Sequence, residues 1–136
     1  MENRELVCIS CPVGCLLSVR AEGEEILVTG NGCKRGEIYG KNEVTDPRRT
    51  VTTSLPIRDN SGAERMLSLK TALPVPKDRV MDCIREIRKY KIRGDFIPGD
   101  VVIQDLLNLG IAVVATRPIL SETLPKQTRG VKWKNI

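Results

Sequence analysis

Histidine is absent from all 136 positions of the sequence. That excludes Cys2His2 zinc sites, Ser-His and Cys-His nucleophile pairs, and the side chain that most often serves as general base near neutral pH. Aromatic residues are nearly as scarce, with one Trp, two Tyr and one Phe, so Val, Ile and Leu must fill the core. No apolar run reaches the roughly 18 residues that a membrane-spanning helix needs. The N-terminus opens with Glu2, Arg4 and Glu5, so no signal peptide is expected. The expectation is a soluble, cytoplasmic protein without membrane insertion. In that compartment clustered thiols serve as ligands or redox groups more often than as structural disulfides.

What the sequence does have is cysteine, five in all, four of them between residues 8 and 33. Cys8, Cys11 and Cys15 follow a Cys-x2-Cys-x3-Cys spacing, and Cys33 returns just before Lys34-Arg35-Gly36. Pro12 and Gly14 shape a tight loop on which three thiols can point at a common centre. Between them and Cys33 the pattern predicts a β-hairpin, Leu16–Arg20 and Ile26–Thr29 about a turn at Glu22-Gly23, which carries Gly30-Asn31-Gly32-Cys33 back beside the first three sulfurs. Structural zinc commonly uses two facing Cys-x2-Cys knuckles. Here the second knuckle is missing, and this asymmetry favours a [4Fe–4S] cluster on Cys8, Cys11, Cys15 and Cys33, with zinc on the same four as the alternative. Free or disulfide-forming thiols are a third reading, weakened because no βαβ pattern surrounds Cys8-x2-Cys11. Gly30, Gly32 and Gly36 permit close backbone approach and N–H···S bonds, or are simple turn glycines. Lys34 and Arg35 supply positive charge that offsets an anionic cluster or faces a partner.

Beyond the cysteines the chain reads as α+β, an N-terminal β-rich cysteine lobe followed by a small mixed domain. Leu6 and Val7 suggest a short strand, and Gly36–Val44 a helical turn bearing Tyr39, broken at Asp46-Pro47-Arg48-Arg49. Thr50–Arg58 and Met66–Thr71, about the turn Asp59-Asn60-Ser61-Gly62, predict a second hairpin marking the joint between lobe and domain. Leu73-Pro74-Val75-Pro76 reads as an extended connector. A helix is expected over 76–90 with Pro76 at its first position, because Val80, Cys83, Ile84 and Ile87 form one apolar stripe. Cys83 on that stripe is read as a small core residue. Val101–Gln104 and Ile111–Thr116 read as strands, the latter buried on both faces. The domain expectation is 1–49 for the cysteine lobe, 50–120 for the α+β domain and 121–136 for a basic, flexible tail.

The formal charge of +5 is uneven. Residues 1–45 carry five basic and seven acidic side chains, whereas residues 118–136 carry four and one. This balance fits an acidic protein partner or a solvated surface, and a nucleic-acid partner is not expected from it.

Residues 7–55, with Cys-x2-Cys-Pro-x-Gly-Cys, the hairpin, Gly-Asn-Gly-Cys-Lys-Arg-Gly and Asp-Pro-Arg-Arg-Thr-Val-Thr, resemble the N-terminal [4Fe–4S] segment of molybdopterin-dependent oxidoreductases. The resemblance implies Cys8, Cys11, Cys15 and Cys33 as cluster ligands and Arg35 or Lys34 as the basic residue on the electron path. The gap before Cys33 is shorter than in that family and the chain is too small to enclose a molybdopterin, so the cluster carries over and molybdenum does not. Residues 6–117, through the cysteine loop, Leu-Pro-Val-Pro-Lys, Gly-Asp-Val-Val-Ile and Gly-Ile-Ala-Val-Val-Ala-Thr-Arg, also resemble an uncharacterised family of small proteins with paired cysteines, found largely in anaerobic bacteria. Its members accompany FAD-dependent dehydrogenases. That resemblance implies an electron-transfer or accessory subunit with a flavoprotein dehydrogenase as partner and no catalytic residues of its own. The rival expectation is a zinc-stapled adaptor module.

Overall fold

The computed structural model describes residues 3–121. They form an α+β fold of two compact units: one holds the residues up to Arg49 together with Pro76–Asp78, the other Thr50–Val75 with the residues from Arg79 on. No helix among the described residues is long and apolar enough to cross a membrane.

The first unit is a three-stranded antiparallel sheet of β1 (Asn3–Val7), β2 (Leu16–Glu22) and β3 (Glu25–Thr29), with helix α1 (Lys34–Thr45) against it. Asn3 pairs with Arg20 and Val7 with Leu16, while Ser18 pairs with Thr29 and Glu22 with Glu25. The alternation predicts the inner face, and Leu17, Val19 and Val28 are buried on it. Where the sequence suggests only a helical turn over 36–44, a helix of 12 residues forms. Its buried positions are Gly36 and Gly40, which carry no apolar side chain, so the helix has no hydrophobic stripe to read. Four residues apart, they lie on one helix face. A Cβ on Gly40 would lie 3.0 Å from Val28 Cγ1 and 3.2 Å from Val19 Cγ2, and one on Gly36 would lie 3.0 Å from Asn31 Cβ. Asp46 closes the helix, its N–H donating to the Asn42 carbonyl (2.9 Å).

Two-residue strands β4 (Arg48–Arg49) and β7 (Val75–Pro76) lie where the chain passes from one unit to the other. Pro76 therefore sits in extended backbone and not at the first position of a helix. A 3-10 turn follows at Lys77–Arg79, with the Lys77 N–H donating to the Pro47 carbonyl (2.8 Å).

The second unit is a four-stranded antiparallel sheet in the order β5 (Thr52–Arg58), β6 (Glu64–Thr71), β9 (Val113–Ala115), β8 (Val101–Ile103), with helix α2 (Val80–Ile87). The 50–71 hairpin is thus half of this sheet and not a joint. Leu55 pairs with Leu67, and Leu69 with Ala115. These side chains share one core cluster with Cys83 and Ile87 of α2 and with Val113, and Val80 and Ile84 pack against it. The apolar stripe therefore lies where its spacing placed it. Leu67 is fully buried, so its truncation to Ala costs about 2–5 kcal/mol, a large part of a typical domain's stability. Helix α2 stops three residues short of expectation because its last turn tightens: Lys89 and Tyr90 N–H groups reach the Glu86 and Ile87 carbonyls, an i to i−3 pattern. In β9 buried residues alternate with half-buried ones, so only one face is sealed. Strand β5 has an outer edge, where the Arg58 N–H donates to the Ile92 carbonyl (3.3 Å) and the Arg58 carbonyl accepts from Gly94 (2.9 Å). Pro56, two residues away, faces the same edge, where its missing N–H breaks no ladder bond.

The turn of the hairpin is held by acids. Asp59 is sealed by its own turn, close beneath the surface, and accepts from the N–H groups of Ser61 (2.9 Å) and Ala63 (3.0 Å), the Ser61 hydroxyl (2.5 Å) and Arg65 Nε (3.2 Å). Asp95 accepts from the Asn60 N–H (3.0 Å) and from both the N–H and hydroxyl of Ser121. Ser121, the first residue of the expected tail, is buried; residues 122–136 of that tail lie outside the described residues.

Two outcomes follow. The Ser61 hydroxyl first, then Arg65 and the turn N–H groups, hold the Asp59 carboxyl below the ordinary aspartate range. Its contribution to stability is fully present above that range and is lost as pH falls through the depressed folded value. Urea midpoints followed downward from neutral pH should show this loss, and Asp59→Asn should lower the neutral-pH midpoint and flatten the acid limb. Separately, Gly30 has φ +85 and a Cβ there would collide with the Leu16 carbonyl oxygen. Gly30→Ala should therefore lower stability by about 2 kcal/mol or more in urea unfolding.

Candidate metal centre

The ladder between β1 and β2 runs one rung past Val7 and Leu16, because the Cys8 N–H donates to the Cys15 carbonyl (2.8 Å). Cys8 and Cys15 therefore stand opposite each other and, by the period of two, on the face that also holds Leu6 and Leu17. Both belong to the first unit's core cluster. The six residues between them form a closed loop that contains Cys11, half-buried, and turns at Gly14 with φ +67.

Cys33 follows β3 and opens α1. It is the N-cap of α1, in extended backbone with φ −155 and ψ 168, and it is exposed. Along the inner face of β2, Gly40 rests on Val19 and Gly36 on Leu17, and the next step back along the chain sets Gly32 against Cys15. A Cβ on Gly32 would lie 3.4 Å from Cys15 Sγ. Four helical residues rise about 6 Å and two strand residues about 7 Å, which is why helix and strand stay in step. Gly32 and Cys33 thus reach the cysteine loop because the rest of α1 is docked. Of the glycines read as permitting close approach to a cluster, Gly30 and Gly36 serve the packing of backbone on sheet, and Gly32 adjoins a cysteine.

The electrostatics single out Cys33. Its thiol is held below the ordinary cysteine range by the N–H groups of Gly36 and then Arg35 at the start of α1, with the Arg35 side chain adding to them, although none closes into a capping hydrogen bond. Arg35 therefore acts on the Cys33 thiol; Lys34 is exposed beside it. Cys83 is the opposite case. It is fully buried in the other unit, and burial pushes its thiol up.

The sequence reading did not single out the wall beside Cys8. Tyr39 packs on the cluster that includes Cys8, and burial, then Glu43, raises its phenol. Glu43 in turn makes a two-pronged ion pair with Arg49, Nη2–Oε1 2.5 Å and Nη1–Oε2 3.0 Å. Tyr39 and Glu43 stand four apart on α1, a spacing visible in sequence once the helix is known.

All five cysteines are free thiols. Among the described residues no group of three or more His, Cys, Asp or Glu side chains is gathered as for a metal ion. Cys8, Cys11 and Cys15 lie on one loop and its closing rung and Cys33 at the start of α1, and an all-thiol donor set of this kind suits soft or borderline metals. In metal-free protein the lowered and exposed Cys33 thiol keeps a larger thiolate fraction as pH falls. Iodoacetamide followed by peptide mass mapping should label Cys33 first, with the advantage growing below pH 8, and Cys83 only on unfolding.

No curated protein and no solved structure matches the chain. A family match covers residues 34–117, beginning one residue after Cys33 and including Cys83. The chain belongs to DUF1667, a family of proteins of unknown function.

Proposed function

We propose that the protein is a small iron–sulfur electron-transfer or accessory subunit that serves a flavin-dependent dehydrogenase in the cytoplasm. The observation that supports this most is the Cys8–Cys15 rung, which closes the loop carrying Cys11, with Gly32, the residue before Cys33, packed against Cys15. Cys8, Cys11, Cys15 and Cys33 would hold a [4Fe–4S] cluster, which when bound supplies one-electron transfer. The chain's own residues do the rest. The N–H groups of Gly36 and Arg35 and the Arg35 guanidinium favour the anionic sulfur of Cys33, and N–H groups and cations around thiolate sulfur raise a site's potential. Exposure of Cys33 gives a partner a near approach. The flavoprotein partner rests on the resemblance over residues 6–117.

A zinc-stapled adaptor is the second reading, and one observation favours it. Four residues, Cys8, Leu17, Val19 and Val28, make up the buried core of the first unit. Domains this small commonly need a metal or disulfide staple.

Anaerobic purification followed by iron, acid-labile sulfide and zinc analysis separates the two. Iron and sulfide in equal amounts, about four each per chain, support the electron carrier, whereas one zinc and no colour support the adaptor. Cys15→Ser and Cys33→Ser should each remove most of the bound metal. Cys83→Ala should leave metal content unchanged and cost about 1 kcal/mol of packing; metal loss with that change would refute the ligand assignment.

A further inference from the structure

In the second unit a groove of about 500 Å³ runs between the outer edge of β5 and the segment that follows α2. Arg58, Arg88, Lys91 and Arg93 line it with one acid, Glu64, together with Tyr90 and an apolar floor of Leu55, Ile57 and Ile92. Five of the ten described cations of this unit have acids: Arg58 pairs with Glu64, Arg65 with Asp59, Arg79 and Arg85 with Asp82, and Lys89 with Glu86. Arg88, Lys91 and Arg93 have no ion pair among the described residues, and all three are exposed at this one groove. Three like charges within six residues repel one another, and an anion relieves that repulsion. The walls are preformed, since the Arg58 N–H and carbonyl are bonded to Ile92 and Gly94, so little ordering cost accompanies binding.

The same bonds decide what kind of ligand fits. An acidic peptide would add as a strand to β5, but residues 92–94 already occupy that edge at Arg58, and Pro56 offers no N–H beyond it. A compact ligand remains. The volume lies within the range of small-molecule sites, about 300–1,000 Å³. Tyr90, 38% exposed, presents an aromatic surface to the same space as the cations. We infer that this groove binds a mononucleotide, its phosphate held by Arg88, Lys91 and Arg93 and its base against Tyr90. The site is independent of the cysteines.

The test is calorimetric titration of the full chain with AMP, adenosine and inorganic phosphate. Saturable AMP binding is expected, weakened by rising salt and tighter than binding of either fragment. Arg93→Gln or Lys91→Glu should weaken AMP binding by about tenfold, the usual scale of one charged hydrogen bond. Tyr90→Ala should weaken AMP while leaving phosphate unchanged. Lys70→Glu, an exposed charge change on β6 outside the groove, should leave AMP binding as it is, and far-UV circular dichroism checks that each variant is folded. No AMP binding at millimolar concentration would overturn the inference. So would phosphate binding as tightly as AMP, or a Lys70→Glu effect equal to that of Lys91→Glu.

Discussion

The first unit depends on how closely α1 can approach its sheet. Gly36 and Gly40 bring helix backbone against Leu17, Val19 and Val28, and a Cβ on Gly40 would crowd Val28 and Val19 at 3.0–3.2 Å. Glycine inside a helix costs about 1 kcal/mol relative to alanine. Two such positions on one face are tolerated because the close contact sets the axial position of the helix. Its first turn, and with it Cys33, then stands at the end of β2 where Cys15 is held by the Cys8 rung. The placement of Cys33 is thus a consequence of helix docking, whereas Cys8 and Cys15 are set by the ladder.

The second unit is built on a different principle. Its core is a conventional apolar cluster of strand and helix side chains, and its turns are fastened by carboxylates whose every strong contact is with an N–H, a hydroxyl or a guanidinium. Asp59 fixes the hairpin turn from inside, and Asp95 joins that turn to Ser121. Such acids stabilise only while ionised, which links the shape of this hairpin to pH in a way the apolar core is not.

Much of this was legible before any coordinates. The hairpin after Cys15, the 50–71 hairpin and the stripe of Val80, Cys83, Ile84 and Ile87 each carry a period that only one kind of element satisfies. The full length of α1 was not legible, because its buried face is glycine and glycine reads as turn. The end of α2 was misjudged for a related reason. Arg88 and Lys89 suit a helix, but the chain leaves to bond the edge of β5, a tertiary contact no local propensity reports. Leu107 and Asn108 adopt left-handed backbone, with φ 53 and 55; Asn favours that region, but Leu107 gives no sign of it. At the cysteine site the ladder puts Cys8 opposite Cys15, while Tyr39 and the Glu43–Arg49 pair became visible only with the helix in place.

The docking of α1 also bears on where a folding unit begins. The stretch shared with the family starts at Lys34, the first residue of this helix. Yet the surface that accepts Gly36 and Gly40 is made of Leu17, Val19 and Val28, all upstream of it. A fragment cut to the shared stretch would begin with twelve residues whose bare glycine face has nothing to lie on, and isolated helices of that length are marginal in water. The recurrent segment and the autonomous folding unit are therefore different lengths of chain.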